Sequence, residues 1–194
     1  MIRRNLAGVA LGCAASLAVG LAIGLSVIEL GAFDVAASSP HSRLVYWATR
    51  TTMVRAVRWQ ARAITPPARL GAADADAGFA LYETHCVTCH GAPGVGQARE
   101  ASGLMPPPPY LLDARELWTP AELYWIVRHG VKMTGMPAWD RTLSEADTWR
   151  VVAFLERLPS LDHAAYCRMR LSRPECSAPP AGGPACSPCR VRPR

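Results

Sequence analysis

The sequence predicts an all-α chain, and three observations support this fold class. A run of 23 residues without a charge, Leu6–Ile28, is long enough to form one continuous helix. Residues 74–161 carry helix caps and an apolar stripe at helical spacing. No alternation typical of a β-strand occurs between Asp74 and Asp162. We therefore expect helices joined by loops, with one long apolar helix at the N-terminus.

Residues 1–28 are predicted to be an N-terminal transmembrane anchor. At 1.5 Å per residue, a helix over Leu6–Ile28 extends about 34 Å, which is enough to cross the hydrocarbon core. Arg3 and Arg4 precede the run, so the positive-inside rule predicts a cytoplasmic N-terminus. A signal peptide is the alternative, because Val35-Ala36-Ala37 satisfies a small-residue cleavage rule.

Residues 29–73 are predicted to be a basic juxtamembrane connector. Between residues 35 and 73 the chain has six arginines and no acidic residue. Side chains at helical spacing predict a helix here, and they are Leu44, Trp47, Thr51, Val54 and Val57. We interpret the segment as a spacer, interrupted by Pro66-Pro67, that holds the next domain away from the membrane. Contact of Trp47, Trp59 and the arginines with lipid head groups is the alternative.

Residues 74–161 are predicted to be a compact domain with three helices. The first covers about Asp76–Thr84, with Asp74 or Asp76 as its N-cap. The second begins at Thr119-Pro120-Ala121-Glu122, which is a capping box with proline at the first helical position, and ends at Gly130. The third begins at Ser144 and is stopped by Pro159, and its apolar stripe consists of Trp149, Val152, Leu155 and Leu158.

The pentapeptide Cys86-Val87-Thr88-Cys89-His90 has the attachment pattern of a c-type haem. Cys86 and Cys89 can each form a thioether with a vinyl group of the porphyrin, and His90 can ligate the iron as proximal ligand. A disulfide or zinc site is the alternative, but zinc needs two further ligands at matched spacing. The other C-x-x-C, Cys186-Ser187-Pro188-Cys189, is followed by arginine, so we expect one covalently attached haem c. We expect the second ring nitrogen of His90 to bind a backbone carbonyl, for which the loop Gly91–Gly96 is a candidate.

The distal ligand must come from elsewhere in the chain. Met136 is the preferred candidate, because Gly135 permits a tight turn before it and Pro137 fixes the chain after it. A methionine thioether raises the reduction potential and favours electron transfer. The other candidates are Met105, Met133 and His129.

These motifs resemble those of membrane-anchored bacterial monohaem class I cytochromes c. The resemblance rests on Cys86–His90, on Gly135-Met136-Pro137 and on the pattern Trp149-x-x-Val-x-Phe-Leu, and it covers about residues 76–161. It implies the class I cytochrome c fold, in which the first and last helices of the domain cross. The crossing is expected near Gly78, Phe79, Tyr82 and Trp149.

The predicted function is one-electron transfer by a haem with His/Met ligation, without enzyme activity. Haem attachment to this motif takes place on the outer face of an energy-transducing membrane, so we expect a periplasmic haem domain tethered to the inner membrane. The expected partners are redox donors and acceptors of a respiratory chain and the lipid around residues 6–28. Two alternatives are a haem enzyme or gas sensor with a displaceable sixth ligand, and a fixed redox subunit of a membrane dehydrogenase or oxidase complex.

Two further interactions are considered from the sequence. The spacings Gly8–Gly12 and Gly20–Gly24 would let two anchors dimerise, although glycine and alanine are frequent throughout this run. The basic stretches carry no nucleic-acid recognition motif, so nucleic acid is not an expected partner.

Residues 162–194 are predicted to be a disordered tail rich in proline, arginine and cysteine. Its cysteines could form two disulfides in an exported segment, and they are Cys167, Cys176, Cys186 and Cys189.

Overall fold

The computed structural model of this chain describes residues 2–173, with side chains from residue 8 onward. The chain divides into two units, of which the first ends at Ser39 and the second begins at Pro40. The α-helices are α1 (Ile2–Glu29), α2 (Arg43–Ala61), α3 (Ala72–His85), α4 (Val87–His90), α5 (Ala114–Leu117), α6 (Pro120–His129), α7 (Glu145–Arg157) and α8 (His163–Leu171). Within residues 2–173 no strand occurs, so the predicted all-α class is confirmed.

The first unit consists of α1 and the turns that follow it. Gly8–Glu29 is a helix long and apolar enough to cross a membrane, and none of its side chains is buried within the unit. The candidate span is therefore present as a helix over the predicted residues. Its membrane insertion, its orientation and the cleavage of the segment stay predictions.

Helices α3 and α7 cross at the centre of the second unit. A Cβ at Gly78 of α3 would lie 1.9 Å from the carbonyl oxygen of Arg150, so only glycine permits this approach. Next to the crossing, the ring centroids of Phe79 and Tyr82 lie 5.5 Å and 5.1 Å from that of Phe154. Trp149 stacks instead on Tyr124 of α6, at 4.3 Å between ring centroids. The crossing expected from the resemblance is present, and it brings α6 onto the same core.

The predicted starts of α6 and α7 are confirmed by their caps. The Thr119 hydroxyl accepts from the amide of Glu122, whose carboxylate accepts from the amide of Thr119. Ser144 caps α7 by accepting from the amide of Asp147. The predicted start of α3 is wrong, because the helix begins four residues earlier than Asp76. Asp74 acts from inside the first turn and accepts from the amide of Gly71, 2.9 Å away.

The predicted disorder from residue 162 onward is wrong for residues 163–171, which form α8. The Asp162 carboxylate caps this helix by accepting from the amide of Ala165. Arg170 Nε lies 2.6 Å from Glu83 Oε2, and the Tyr166 hydroxyl donates to the other oxygen of that carboxylate. Tyr166 is also fully buried, with its ring centroid 5.4 Å from that of Phe79. Sequence composition does not reveal this helix, because the residues that attach it to α3 pair with partners far away in the chain and form no repeating apolar pattern.

Cys167 of α8 is disulfide-bonded and buried. The other cysteines expected to pair in the tail, Cys176, Cys186 and Cys189, lie outside the described residues.

The connector is not a free spacer throughout, since the end of α2 packs on the domain. Val57 and Ala61 are buried, and Arg58 Nε lies 3.8 Å from Glu122 Oε1 at the start of α6. All of α2 lies in the second unit; its last turns pack on the domain, while its first two turns are mostly exposed.

Candidate haem-binding site

Cys86 joins α3 to α4, and Cys89 and His90 lie in the single turn of α4 that follows. The amide of Cys86 donates to the backbone carbonyl of Tyr82 at the end of α3. The carbonyl of Cys86 in turn accepts from the amides of Cys89 and His90, at 3.1 Å and 2.9 Å. Cys86 and Cys89 are free thiols. Burial is the larger cause that raises the pKa of Cys86 to about 12, and electrostatic repulsion from the neighbouring Cys89 is the smaller one. The Cys86 thiol is therefore protonated at neutral pH before haem is attached.

One ring nitrogen of His90 is occupied by a backbone carbonyl, as predicted, but the carbonyl belongs to Pro109. The Nδ1 atom lies 2.8 Å from the Pro109 oxygen, and Gln97 Nε2 donates to the oxygen of Pro108. The candidate loop Gly91–Gly96 does not supply the acceptor, since the amides and carbonyls of Ala92 and Val95 bond to each other. The proline run lacks N–H donors of its own and leaves its carbonyls for side chains.

This hydrogen bond fixes which nitrogen of His90 can reach a metal. A proton on Nδ1 donates to Pro109, which leaves Nε2 as the unprotonated nitrogen. Burial lowers the pKa of His90, and the Pro109 carbonyl opposes this change. The hydrogen bond at Nδ1 and the lowered pKa both favour a neutral imidazole, which is the form that ligates a metal.

The chain turns sharply after His90 at Gly91, where φ is +63°. A Cβ at Gly91 would lie 2.6 Å from Tyr110 Cε1, and the Gly91 carbonyl accepts from the Tyr82 hydroxyl at 2.6 Å. Tyr82 and Tyr110 thus position the turn beside the haem motif. The sequence singled out Tyr82 only for the helix crossing and did not predict Tyr110.

Met136 closes a short loop that begins at Gly130. The amide of Val131 donates to the carbonyl of Met136 at 3.3 Å. The Thr134 hydroxyl donates to the carbonyl of Val131 and accepts from the amide of Met136, at 2.7 Å and 3.1 Å. Gly130 has φ of +63°, and a Cβ there would lie 2.6 Å from Pro137. These contacts fix the backbone on both sides of the Met136 side chain.

The rival ligands lie in different surroundings. Met133 is at the tip of the same loop, with φ of +59° and a side chain 96% exposed. His129 is exposed at the end of α6, with its ring centroid 5.2 Å from that of Trp125. Met105 is half-buried, and its neighbour Leu104 packs against Gly135.

The donor set fits a covalently bound haem and does not fit a metal ion held by side chains alone. Within the described part of the chain, no three His, Cys, Asp or Glu side chains come together as ion ligands. The two free thiols and His90 instead match two thioethers and one axial ligand. Cys86, Cys89 and His90 would hold the group.

A comparison with known families was made for the whole chain. Residues 73–155 match the family model of cytochrome c oxidase, cbb3-type, subunit III. The matched segment contains nearly all of α3, then α4 to α6 and most of α7, with the haem motif and the Met136 loop. No curated protein and no solved structure matches the chain.

Proposed function

We propose that this chain, whose residues 73–155 form a class I cytochrome c domain, is a membrane-tethered one-electron carrier with a single haem c. The domain itself implies haem-based electron transfer. The observation that carries the proposal of a haem c is the segment Cys86–His90. Outside this segment, the carbonyl of Pro109 accepts from Nδ1 of the His90 imidazole and leaves Nε2 for the iron. His90 is the proposed proximal ligand.

Met136 is the proposed distal ligand. Its support is the loop geometry, in which Thr134 and Gly130 fix the backbone around Met136 while Met133 projects from the loop tip. The haem supplies a one-electron couple, and with two axial protein ligands no position is left for a substrate. A carrier without enzyme activity is the function that this arrangement supports.

Paired substitutions in the loop test this ligation. Met136→Ala should convert a low-spin haem into a high-spin one that binds carbon monoxide, while Met133→Ala should leave the absorption spectrum unchanged. Met136→His should keep the low-spin state and lower the reduction potential. Rapid carbon monoxide binding by the unaltered chain would support the haem enzyme or gas sensor instead. A high-spin Met133→Ala variant would make Met133 the ligand.

The proposed location is the outer face of the inner membrane, with α1 as the tether and the N-terminus in the cytoplasm. Support comes from the apolar helix Gly8–Glu29 and from the requirement that haem be attached outside. Protease added to spheroplasts should degrade the haem domain, whereas protease added to inverted membrane vesicles should not. The opposite pattern would overturn the orientation.

A fixed redox subunit of a membrane oxidase is the second candidate. The description of the matched family, an oxidase subunit, favours it. Both candidates share the haem chemistry and require redox partners of a respiratory chain. Purification in mild detergent distinguishes them, since a subunit should co-purify with other haem proteins in a fixed ratio and a free carrier should not.

A further inference from the structure

The first turns of α2 present an exposed face that is both basic and aromatic. Tyr46, Trp47, Arg50 and Val54 line one shallow groove on this helix, together with Thr51, Arg55 and Arg58. Tyr46 and Trp47, which are neighbours in this groove, are 50% and 63% exposed. Adjacent exposed aromatic rings form a contiguous apolar patch, and such a patch is typical of an interaction site.

The charge on this face is not neutralised by the domain. Residues 35–73 contain six arginines and no acidic residue. In the described part of the chain, no ion pair within 4.0 Å involves Arg43, Arg50 or Arg55. Arg62 lies over the Trp59 ring at 3.4 Å. The face therefore carries positive charge that is available to an anionic partner.

We infer that this face of α2, formed by Arg43, Tyr46, Trp47, Arg50 and Arg55, docks on an anionic phospholipid surface. Arginines bind phosphate head groups, and tryptophan and tyrosine rings prefer the depth of the head-group region. This combination of cations and aromatic rings therefore suits both the charged head groups and the adjoining acyl-chain boundary of a membrane.

The length of the chain brings this face within reach of the membrane. Glu29, at the end of α1, and Arg43, at the start of α2, are 14 positions apart, which allows at most about 50 Å when fully extended. If α1 spans the membrane, α2 begins within that distance of its surface. The lipid surface is then within reach of α2.

Docking would also orient the haem domain. The far end of α2 packs on the haem domain through buried Val57 and Ala61 and through the contact of Arg58 with Glu122. A lipid-bound α2 would therefore act as an arm that sets one orientation of the domain. This inference extends beyond electron transfer and is independent of which methionine binds the iron.

The test uses the full chain with its haem, reconstituted into vesicles of neutral phosphatidylcholine or of phosphatidylcholine with 30% phosphatidylglycerol. Lipids brominated near the head group quench tryptophans at the interface, and the signal of Trp47 is the difference from a Trp47→Phe variant. The test variant is the triple change Arg43→Gln, Arg50→Gln and Arg55→Gln. The matched control removes three exposed arginines outside α2, by Arg99→Gln, Arg141→Gln and Arg168→Gln.

We expect strong quenching of Trp47 with anionic lipid only. Each arginine near an anionic surface strengthens binding about fivefold, so the triple change in α2 should lower the ratio of docked to free arm about a hundredfold. The control variant, and a version with three lysines in place of the arginines of α2, should retain quenching. Salt at 1 M should reduce it, because the screening length falls to about 3 Å.

Equal quenching with neutral and anionic lipid, or equal loss in the test and control variants, would overturn the inference. Quenching that requires an added protein would do the same and would assign the face to that protein. Flotation with neutral vesicles reports α1 separately. If the chain does not float with them, the proposed anchor fails, and arginine-dependent flotation with anionic vesicles still tests the arm.

Discussion

Replacing Arg170 by methionine tests whether a buried ion pair holds α8 on α3. Arg170 Nε lies 2.6 Å from Glu83 Oε2, and each of the two side chains is 5% exposed. The Tyr166 hydroxyl donates to the other oxygen of the same carboxylate. Methionine fills a comparable volume, but it leaves the Glu83 charge buried without its cation.

The expected cost follows from this burial. Removing one partner of a buried ion pair costs about 3–5 kcal/mol, and we expect about 3 kcal/mol because Tyr166 still donates to Glu83. Arg157→Met is a matched control, since Arg157 Nη1 also lies 2.6 Å from a carboxylate of α3, that of Asp76. Those side chains are 37% and 63% exposed, so the control should cost less than about 1 kcal/mol.

Two measurements on the haem-loaded chain check this difference. Urea unfolding followed by far-ultraviolet circular dichroism gives the free energy of unfolding, and hydrogen exchange of the α8 amides reports local detachment. Arg170→Met should lose both stability and α8 protection, whereas Arg157→Met should keep both. Tyr166→Phe should cost about 1–2 kcal/mol, because it removes one buried hydrogen bond. Equal losses for the two arginine variants would refute the reasoning from burial.

Three glycines yield further predictions. Gly78→Ala places a Cβ 1.9 Å from the carbonyl oxygen of Arg150, so the helix crossing must open, and urea unfolding should show a loss of at least about 2 kcal/mol. Gly130→Ala, at φ of +63°, should displace the Met136 loop and increase the high-spin fraction in the ferric absorption spectrum. Gly94→Ala places a Cβ 2.0 Å from His163 Nδ1, so adding His163→Ala should recover part of the thermal stability and leave only the cost of φ at +75°.

Two other glycines serve as controls for these variants. A Cβ at Gly96 or Gly103 meets no atom within 4 Å, and neither residue requires a positive φ. Alanine at either position should leave stability unchanged or raise it slightly. If these controls cost as much as Gly78→Ala, close contact is not the cause of the loss. A single Gly94→Ala variant with unchanged stability would contradict the contact with His163.

Local sequence signals predicted the parts of the domain that depend on neighbouring residues. The capping box of Thr119 and Glu122 fixed the start of α6, because both partners lie within one turn. The glycine after His129 predicted the end of that helix for the same reason. The haem motif itself spans five positions and depends on spacing alone.

Other features depend on residues far apart in the chain. The acceptor for His90 is Pro109, 19 positions away, and the nearer loop Gly91–Gly96 was expected instead. The packed end of α2 needs α6, which follows it by about 60 residues. The sequence shows that His90 requires a carbonyl and that the apolar side of α2 requires a partner. It does not show which segment supplies either one, because several segments could do so.

The sequence by itself determined the helical class, the apolar helix at the N-terminus and the Cys86–His90 motif, because caps, spacing and apolar runs act over a few residues. Only the tertiary structure decided that α8 exists and that Pro109 orients His90. Glu83 and Arg170 are 87 positions apart, and they pair only after α3 and α8 have been brought together. The long-range contacts decide these features, because a buried charge is stable only beside its partner.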